Sequence, residues 1–156
     1  MTMSLGRLLA IVFFAVMVVG CGKPESPERA ALRERLEQPA PLSHEEIDRL
    51  LDEVGRSLEG KTVKASQRGV VQDLDPAQHD VVLGMIANHV GVFDEGIRTT
   101  EQTTVRIVNA PGRPSNPELD AARHLWIDIS TFVPTHFEFT SGVATDEFTT
   151  DLIVQP

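Results

Sequence analysis

Hydrophobic positions along the chain follow two different periods, and the change from one to the other divides the sequence. Ile47, Leu50, Leu51, Val54 and Leu58 fall on one helical stripe, and Val81, Val82, Met85, Ile86 and Val90 fall on a second. From Thr103 the period drops to two. Thr104-Val105-Arg106-Ile107-Val108 reads as a strand, and Leu125, Ile127 and Ile129 alternate with His124, Trp126, Asp128 and Ser130. Phe137 and Phe139 alternate with His136 and Glu138, while Phe148 and Leu152 share one side of a final strand.

Local chemistry sets the ends of these elements. Ser43-His44-Glu45-Glu46 has the spacing of a capping box, and Gly60 supplies a left-handed stop. Glu45–Arg49 and Asp52–Arg56 stand four apart with the acid first, each pair adding ~0.2–0.5 kcal/mol. Asp75-Pro76-Ala77-Gln78 starts the second helix with an Asx cap and a proline at the first position, and Gly91 ends it. In residues 61–74, Val63 and Ala65 alternate as in a short strand but Gly69-Val70-Val71 breaks the pattern, so the segment is left unassigned. Pro111, Gly112, Pro114 and Pro117 mark a loop that closes on one helical turn, Pro117 to Arg123.

Parity fixes an expected hairpin register. A two-residue loop, Phe132-Val133, would set Glu138 opposite Ile127 and mix the faces, whereas a three-residue loop, Phe132-Val133-Pro134, pairs Ile129 with Phe137 and Ile127 with Phe139. The predicted fold is α+β: two amphipathic helices packed on one face of an antiparallel sheet of about four strands, the other face at least partly wet.

At the N-terminus Arg7 precedes twelve uncharged apolar residues, Leu8 to Val19. At ~1.5 Å per helical residue this run falls short of the roughly 20 residues that span a bilayer core, and it has the length of a signal-peptide apolar region. Val18-Val19-Gly20-Cys21 resembles the lipobox of bacterial lipoproteins. The resemblance implies that residues 1–20 are a removable export signal, that Cys21 carries the lipid (palmitate-type acyl chains), and that the mature protein sits in the cell envelope. Gly22 in place of Asp favours the outer membrane, facing the periplasm. Residues 21–42, with Pro24, Pro27, Pro39 and Pro41 around a charged stretch, read as a tether in which Ser26-Pro27 caps a short helix with two leucines to bury. Residues 43–156 form a single α+β domain.

Charge narrows the partners. The formal charge of −9 becomes −10 once Arg7 leaves, and residues 69–156 carry thirteen acids against Arg98, Arg106, Arg113 and Arg123. Such a field repels phosphate backbones, which argues against nucleic acid and for basic proteins or divalent cations. Cys21 is the one cysteine, so the exported domain has no disulfide.

The expected register gathers His124, Trp126, Asp128, Ser130, His136 and Glu138 on the polar face, with Asp128 opposite Glu138. His124, Asp128, His136 and Glu138 are the candidate metal ligands, because imidazole nitrogen and carboxylate oxygen both bind divalent ions. The plainer reading is a solvated face, with cross-strand carboxylates mildly destabilising unless a cation or imidazolium sits between them. Asp73-Leu74-Asp75 lacks the spacing of a calcium loop, Asp94-Glu95 reads as a solvated turn, and His44, His79 and His89 read as surface histidines. There is no Gly-x-Ser-x-Gly elbow, Walker A loop, HExxH or GxGxxG, so no catalytic residue and no cofactor is assigned.

Leu125-Trp126-Ile127-Asp128, with Thr131, Pro134 and Phe137-Glu138-Phe139, resembles a hairpin of periplasmic carriers of the LolA/LppX-like superfamily. That resemblance implies a hydrophobic small ligand such as an acyl chain, held under a curved sheet. Three readings follow: a non-enzymatic lipoprotein that binds or assembles an envelope protein, a LolA-like carrier, and a divalent-metal site or hydrolase on the polar face. The first leads, on the anchor, the acidic half and the missing catalytic motifs. A carrier requires an apolar cavity of roughly 300 Å³ or more.

Overall fold

Ser43 opens a helix through a reciprocal cap: its hydroxyl accepts the Glu46 N–H at 3.3 Å, and the Glu46 carboxylate accepts the Ser43 N–H at 2.7 Å. The helix, α2 (His44–Leu58), buries Ile47, Leu50, Leu51, Val54 and Leu58, and Gly60 follows it at φ 71°. Glu45 and Arg49 pair at 2.5 Å, while Arg56 turns to Glu53. The structure, a computed structural model, describes residues 24–74, 76–88, 91–110, 121–141 and 147–156. The export signal, Cys21, the Asp75 cap, His89, Val90 and the 111–120 loop lie outside the described residues.

A helix also forms inside the expected tether. α1 (Pro27–Leu36) starts on the Ser26 hydroxyl with proline at its first position, and Leu32 and Leu36 are buried in the same core as α2. This is the short helix expected at Ser26-Pro27, and the surface its two leucines cover is the domain's own core. Two leucines four apart suffice because α2 presents a complete apolar stripe for them to cover.

The strands are β1 (Thr62–Gln67), β2 (Val70–Asp73), β3 (Phe93–Thr99), β4 (Thr104–Ala110), β5 (Ala121–Asp128), β6 (Pro134–Ser141) and β7 (Glu147–Gln155), with α3 (Pro76–Ala87) between β2 and β3. They make one antiparallel sheet in the order β2-β1-β7-β6-β5-β4-β3. One face, with Val63, Ala65, Val108, Leu125, Ile127, Phe137 and Leu152, packs against the helices through Ile47, Leu51, Val54, Val82 and Met85. The expected two helices on about four strands are thus corrected: among the described residues three helices cover one face of seven strands.

β1 carries the Val63/Ala65 alternation, whereas β2 and β3 lack a period-two signal for physical reasons. β1 and β2 are joined by Arg68-Gly69, both at positive φ (52° and 80°), the geometry of a primed hairpin turn that Asn or Asp before Gly usually announces. Arg-Gly carries no such cue, and all four residues of β2 are exposed at the sheet edge. In β3 the pairing register shifts between Asp94 and Gly96, and the residue turned inward at the break is Asp94, so no apolar alternation survives. Ala121–Arg123 belong to β5, which corrects the helical turn expected to end at Arg123.

The β5–β6 register differs from the one expected. Leu125 pairs with Phe137 and His124 with Glu138, so the strands slide by four residues, and the connection runs from Ile129 to Val133. An even slide leaves each side chain on its expected face. Asp128 causes the longer loop: its carboxylate accepts the N–H groups of Ser130 and Thr131 at 2.7 and 3.2 Å, and its carbonyl accepts the Phe132 N–H at 2.8 Å. Phe132, at φ 60°, then turns inward and is fully buried.

A charged pair ties α1, β3 and β4 together. The side chains of Arg106 and Asp94 are 0% and 2% exposed. The guanidinium donates to both Asp94 oxygens and to the carbonyls of Leu36, Gln38 and Ala40 at 3.1, 2.7 and 2.9 Å, which uses all five of its N–H groups. Asp94 also accepts the N–H groups of Leu42 and Gly96, both at 2.9 Å. Burial pushes the Asp94 carboxyl up, but the hydrogen bonds from Arg106, Leu42 and Gly96 and the guanidinium charge outweigh it and hold it below its ordinary value. Asp94, read from sequence as part of a solvated turn, is instead the partner of a buried cation.

Candidate functional site

Strand pairing lays two rows of side chains across the sheet face that the helices leave uncovered. One row runs Phe93, Asn109, His124, Glu138, Thr149, and the other runs Ile107, Trp126, His136, Asp151, Ser66. Val105 and Ile107 are buried on this outer face, away from the main core cluster. Arg98 stands over Trp126 at 4.5 Å, and the His136 ring lies 4.7 Å from the other aromatic centroid at a 49° tilt.

Within this face five ionisable side chains make a continuous line. His124 Nδ1 lies 3.3 Å from Glu95 and 3.8 Å from Glu138. His136 Nε2 is 3.3 Å from Glu138, and its Nδ1 is 2.9 Å from Asp151. Asn109 Nδ2 donates to Glu95 at 2.7 Å and meets His124 Nε2 at 3.1 Å. The Glu95 carboxylate fixes the orientation of that amide, since only the nitrogen can donate to it. Neutral His124 then accepts at Nε2 and carries its proton on Nδ1, toward Glu95. The other amide atom, Asn109 Oδ1, is buried without a hydrogen-bond partner among the described residues, although Asn109 is only 7% exposed.

The four candidate metal ligands are split by this arrangement. His124, His136 and Glu138 come together, while Asp128 serves the β5–β6 loop and accepts the Thr103 hydroxyl at 2.8 Å and the Ser130 hydroxyl at 2.6 Å. Burial raises the Asp128 carboxyl, and the Ser130 and Thr103 hydroxyls with the Ser130 and Thr131 amides more than offset it, leaving it below its ordinary value. Among the described residues no group of three or more His, Cys, Asp or Glu side chains could hold a metal ion. Imidazoles and carboxylates alternate along a line here instead of converging on one point.

Two members of the row escape the sequence reading. Glu95 had no signal, because β3 shows no alternation. Asp151 had one: its neighbour Leu152 faces the core, so parity alone puts Asp151 outside.

The space between helices and sheet is occupied by side chains. Leu125, Ile127, Phe132 and Phe137 are almost completely buried in one cluster with Ile47, Leu51 and Met85. The Phe148 side chain lies outside what the structure describes. A groove of about 520 Å³ between α1 and α2 is lined largely by Glu28, Arg35, Glu46, Arg49 and Asp52, and one of about 400 Å³ beside α3 by Leu58, Val63, Leu83 and Ile86 with Lys61 and His79. Both open to the surface. Among the described residues no helix is long and apolar enough to cross a membrane. Compared with known proteins, the chain matches no family model, no curated protein and no solved structure.

Proposed function

We propose that this chain is a lipid-anchored binding module of the cell envelope, with no catalytic role of its own, that receives a cationic side chain of a partner protein on its outer sheet face. The carrying observation is the row of Glu95, His124, Glu138, His136 and Asp151 on the sheet face opposite the described helices. An imidazole stands between each pair of carboxylates, and no lysine or arginine belongs to the row, so its permanent charges are negative. A lysine or arginine head group offers a positive charge and several N–H donors, which the remaining lone pairs of these carboxylates can accept. Trp126, flanked by Arg98 and His136, supplies an adjacent aromatic surface of the kind that dominates binding hot spots. Attachment through Cys21, export and outer-membrane placement rest on the lipobox and on Gly22.

The occupied interior between helices and sheet is the reason the acyl-carrier reading ranks below this one, and the linear arrangement of ligands is the reason the metal reading does.

Titration calorimetry on the Cys21→Ser protein, with a lysine/arginine-rich peptide and an acidic peptide of equal length, tests the reading. The basic peptide binds, its affinity falls as salt rises, and Glu95→Gln with Glu138→Gln weakens it about tenfold, or ~1.4 kcal/mol. Binding that ignores both substitutions, or that favours the acidic peptide, overturns it.

A further inference from the structure

We infer that the domain is held directly against the bilayer in a restricted orientation, with the end of the sheet that carries the start of α1 facing the lipid headgroups. The inference rests on the lipid attachment at Cys21 proposed above, and it deepens that reading by naming the surface that meets the membrane. A freely solvated tether from Cys21 to Leu42 would reach up to ~70 Å at ~3.3–3.6 Å per residue and would let the domain turn in any direction. The fold removes most of that freedom. α1 begins at Pro27 on the Ser26 cap, and its Leu32 and Leu36 belong to the core. Five residue steps separate Cys21 from Ser26, a reach of at most ~18 Å. A domain of this size has a radius of gyration of about 14 Å and so a diameter of roughly 35–40 Å. The linker's full reach is only about half of that, and the distant end of the domain cannot be brought to the membrane while Cys21 stays there.

The start of α1 is fastened to one end of the sheet. Arg29 donates to the Thr131 carbonyl at 3.3 Å, pairs with Glu53 at 3.4 Å and lies over the Phe132 ring at 4.6 Å. Ser57, near the end of α2, donates its hydroxyl to the Phe132 carbonyl at 2.9 Å. The β5–β6 loop in turn meets the start of β4, where the Ile129 N–H is bonded to the Thr104 carbonyl at 3.1 Å. Thr62 pairs with Gln155, so the start of β1 and the end of β7 lie at the same end of the sheet, whereas Gln67 and the Arg68-Gly69 turn lie at the opposite end. The membrane-facing rim therefore joins Ser26, Thr131 and the Gly60-Lys61 turn. The outer face with Glu95, His124 and His136 is a side wall, parallel to neither rim and open to a partner approaching along the membrane. The partner of the rim is the bilayer surface itself. Arg29, Arg33 and Arg56 near the rim are each engaged with Glu25 or Glu53, so the apposition comes from the short covalent link and not from attraction to anionic lipid.

Energy transfer from a fluorophore on the lipidated full chain to acceptor-labelled headgroups in phosphatidylcholine vesicles tests this. Cys21 is the one cysteine and is consumed by the lipid, so Lys61→Cys and Gln67→Cys each give a single labelling site. The two positions lie at opposite ends of β1, roughly 20 Å apart. Transfer is expected to be at least twofold more efficient at position 61 than at 67, and inserting twenty Gly/Ser residues between Gly22 and Lys23 should abolish the difference. Equal transfer at the two sites with the native linker, or a difference that survives the insertion, overturns the inference while leaving the anchor intact. If the wild-type chain associates with vesicles no better than Cys21→Ser, the lipid attachment itself fails and the orientation fails with it.

Discussion

Replacing Asp94 with alanine strands the Arg106 guanidinium, whose side chain is 0% exposed, in the seam between α1 and β4. Removing one partner of a buried pair costs ~3–5 kcal/mol, against a total of ~5–15 kcal/mol for a domain of this kind. With a urea slope of ~1–3 kcal/mol/M, the midpoint should drop by roughly 1–5 M, about 2 M for the middle of both ranges. A bare ion pair could be replaced by two apolar side chains at little cost. This one cannot, because Arg106 also serves the carbonyls of Leu36, Gln38 and Ala40, and Asp94 serves the amides of Leu42 and Gly96. Those five buried or half-buried backbone groups would each lose a partner, at ~1–3 kcal/mol apiece where water cannot reach them. Asp94→Leu with Arg106→Met should therefore stay at least ~3 kcal/mol below the parent. Urea unfolding followed through the single tryptophan, Trp126, reads the outcome. A double variant within ~1 kcal/mol of the parent would refute the reasoning, because it would mean that the guanidinium's contacts with residues 36–40 contribute little.

Other expectations follow from the same packing. Leu36→Ala should cost ~2–5 kcal/mol in urea unfolding, as for any fully buried leucine, whereas a leucine in a solvated tether would cost almost nothing. Stability should also fall on acidification with a definite sign. Asp94 and Asp128 are held below their ordinary value of 3.8, and Glu46 below 4.5 because the Ser43 amide and Arg35 bond to it in excess of its burial. Depressed carboxyls contribute stability that is complete above those ordinary values and is lost as pH falls through the folded ones. The urea midpoint should thus hold from neutrality to about pH 5 and decline below about pH 4, and a midpoint unchanged at about pH 3 would contradict the assignment of all three.

The sequence alone determined the elements whose signals are local. Ser43, Glu46 and Gly60 bound α2 because capping is decided within one helical turn, and the period-two runs from Thr104 to Phe139 mark β4, β5 and β6, with Leu125, Ile127 and Phe137 facing the core as expected; in β4, for which the sequence assigned no face, Arg106 and Val108 turn inward and Val105 and Ile107 outward. Face assignment survived a four-residue error in register because side chains repeat every two residues, and the slide was even. His124, His136 and Glu138 were legible as one polar cluster for the same reason. What the chain could not announce depends on partners distant in sequence. β2 and β3 are edge strands whose pairing comes from β1 and β4, so they need no alternation of their own. α1 shows two leucines and becomes part of the core only because α2 offers them a surface. Asp94 reads as a solvated acid until Arg106, twelve residues on, is placed beside it, and Glu95 joins the outer row only once β3 is paired. Local hydrogen bonding and periodicity are written in consecutive residues, whereas burial of charge and completion of a sheet edge are settled by which segments meet.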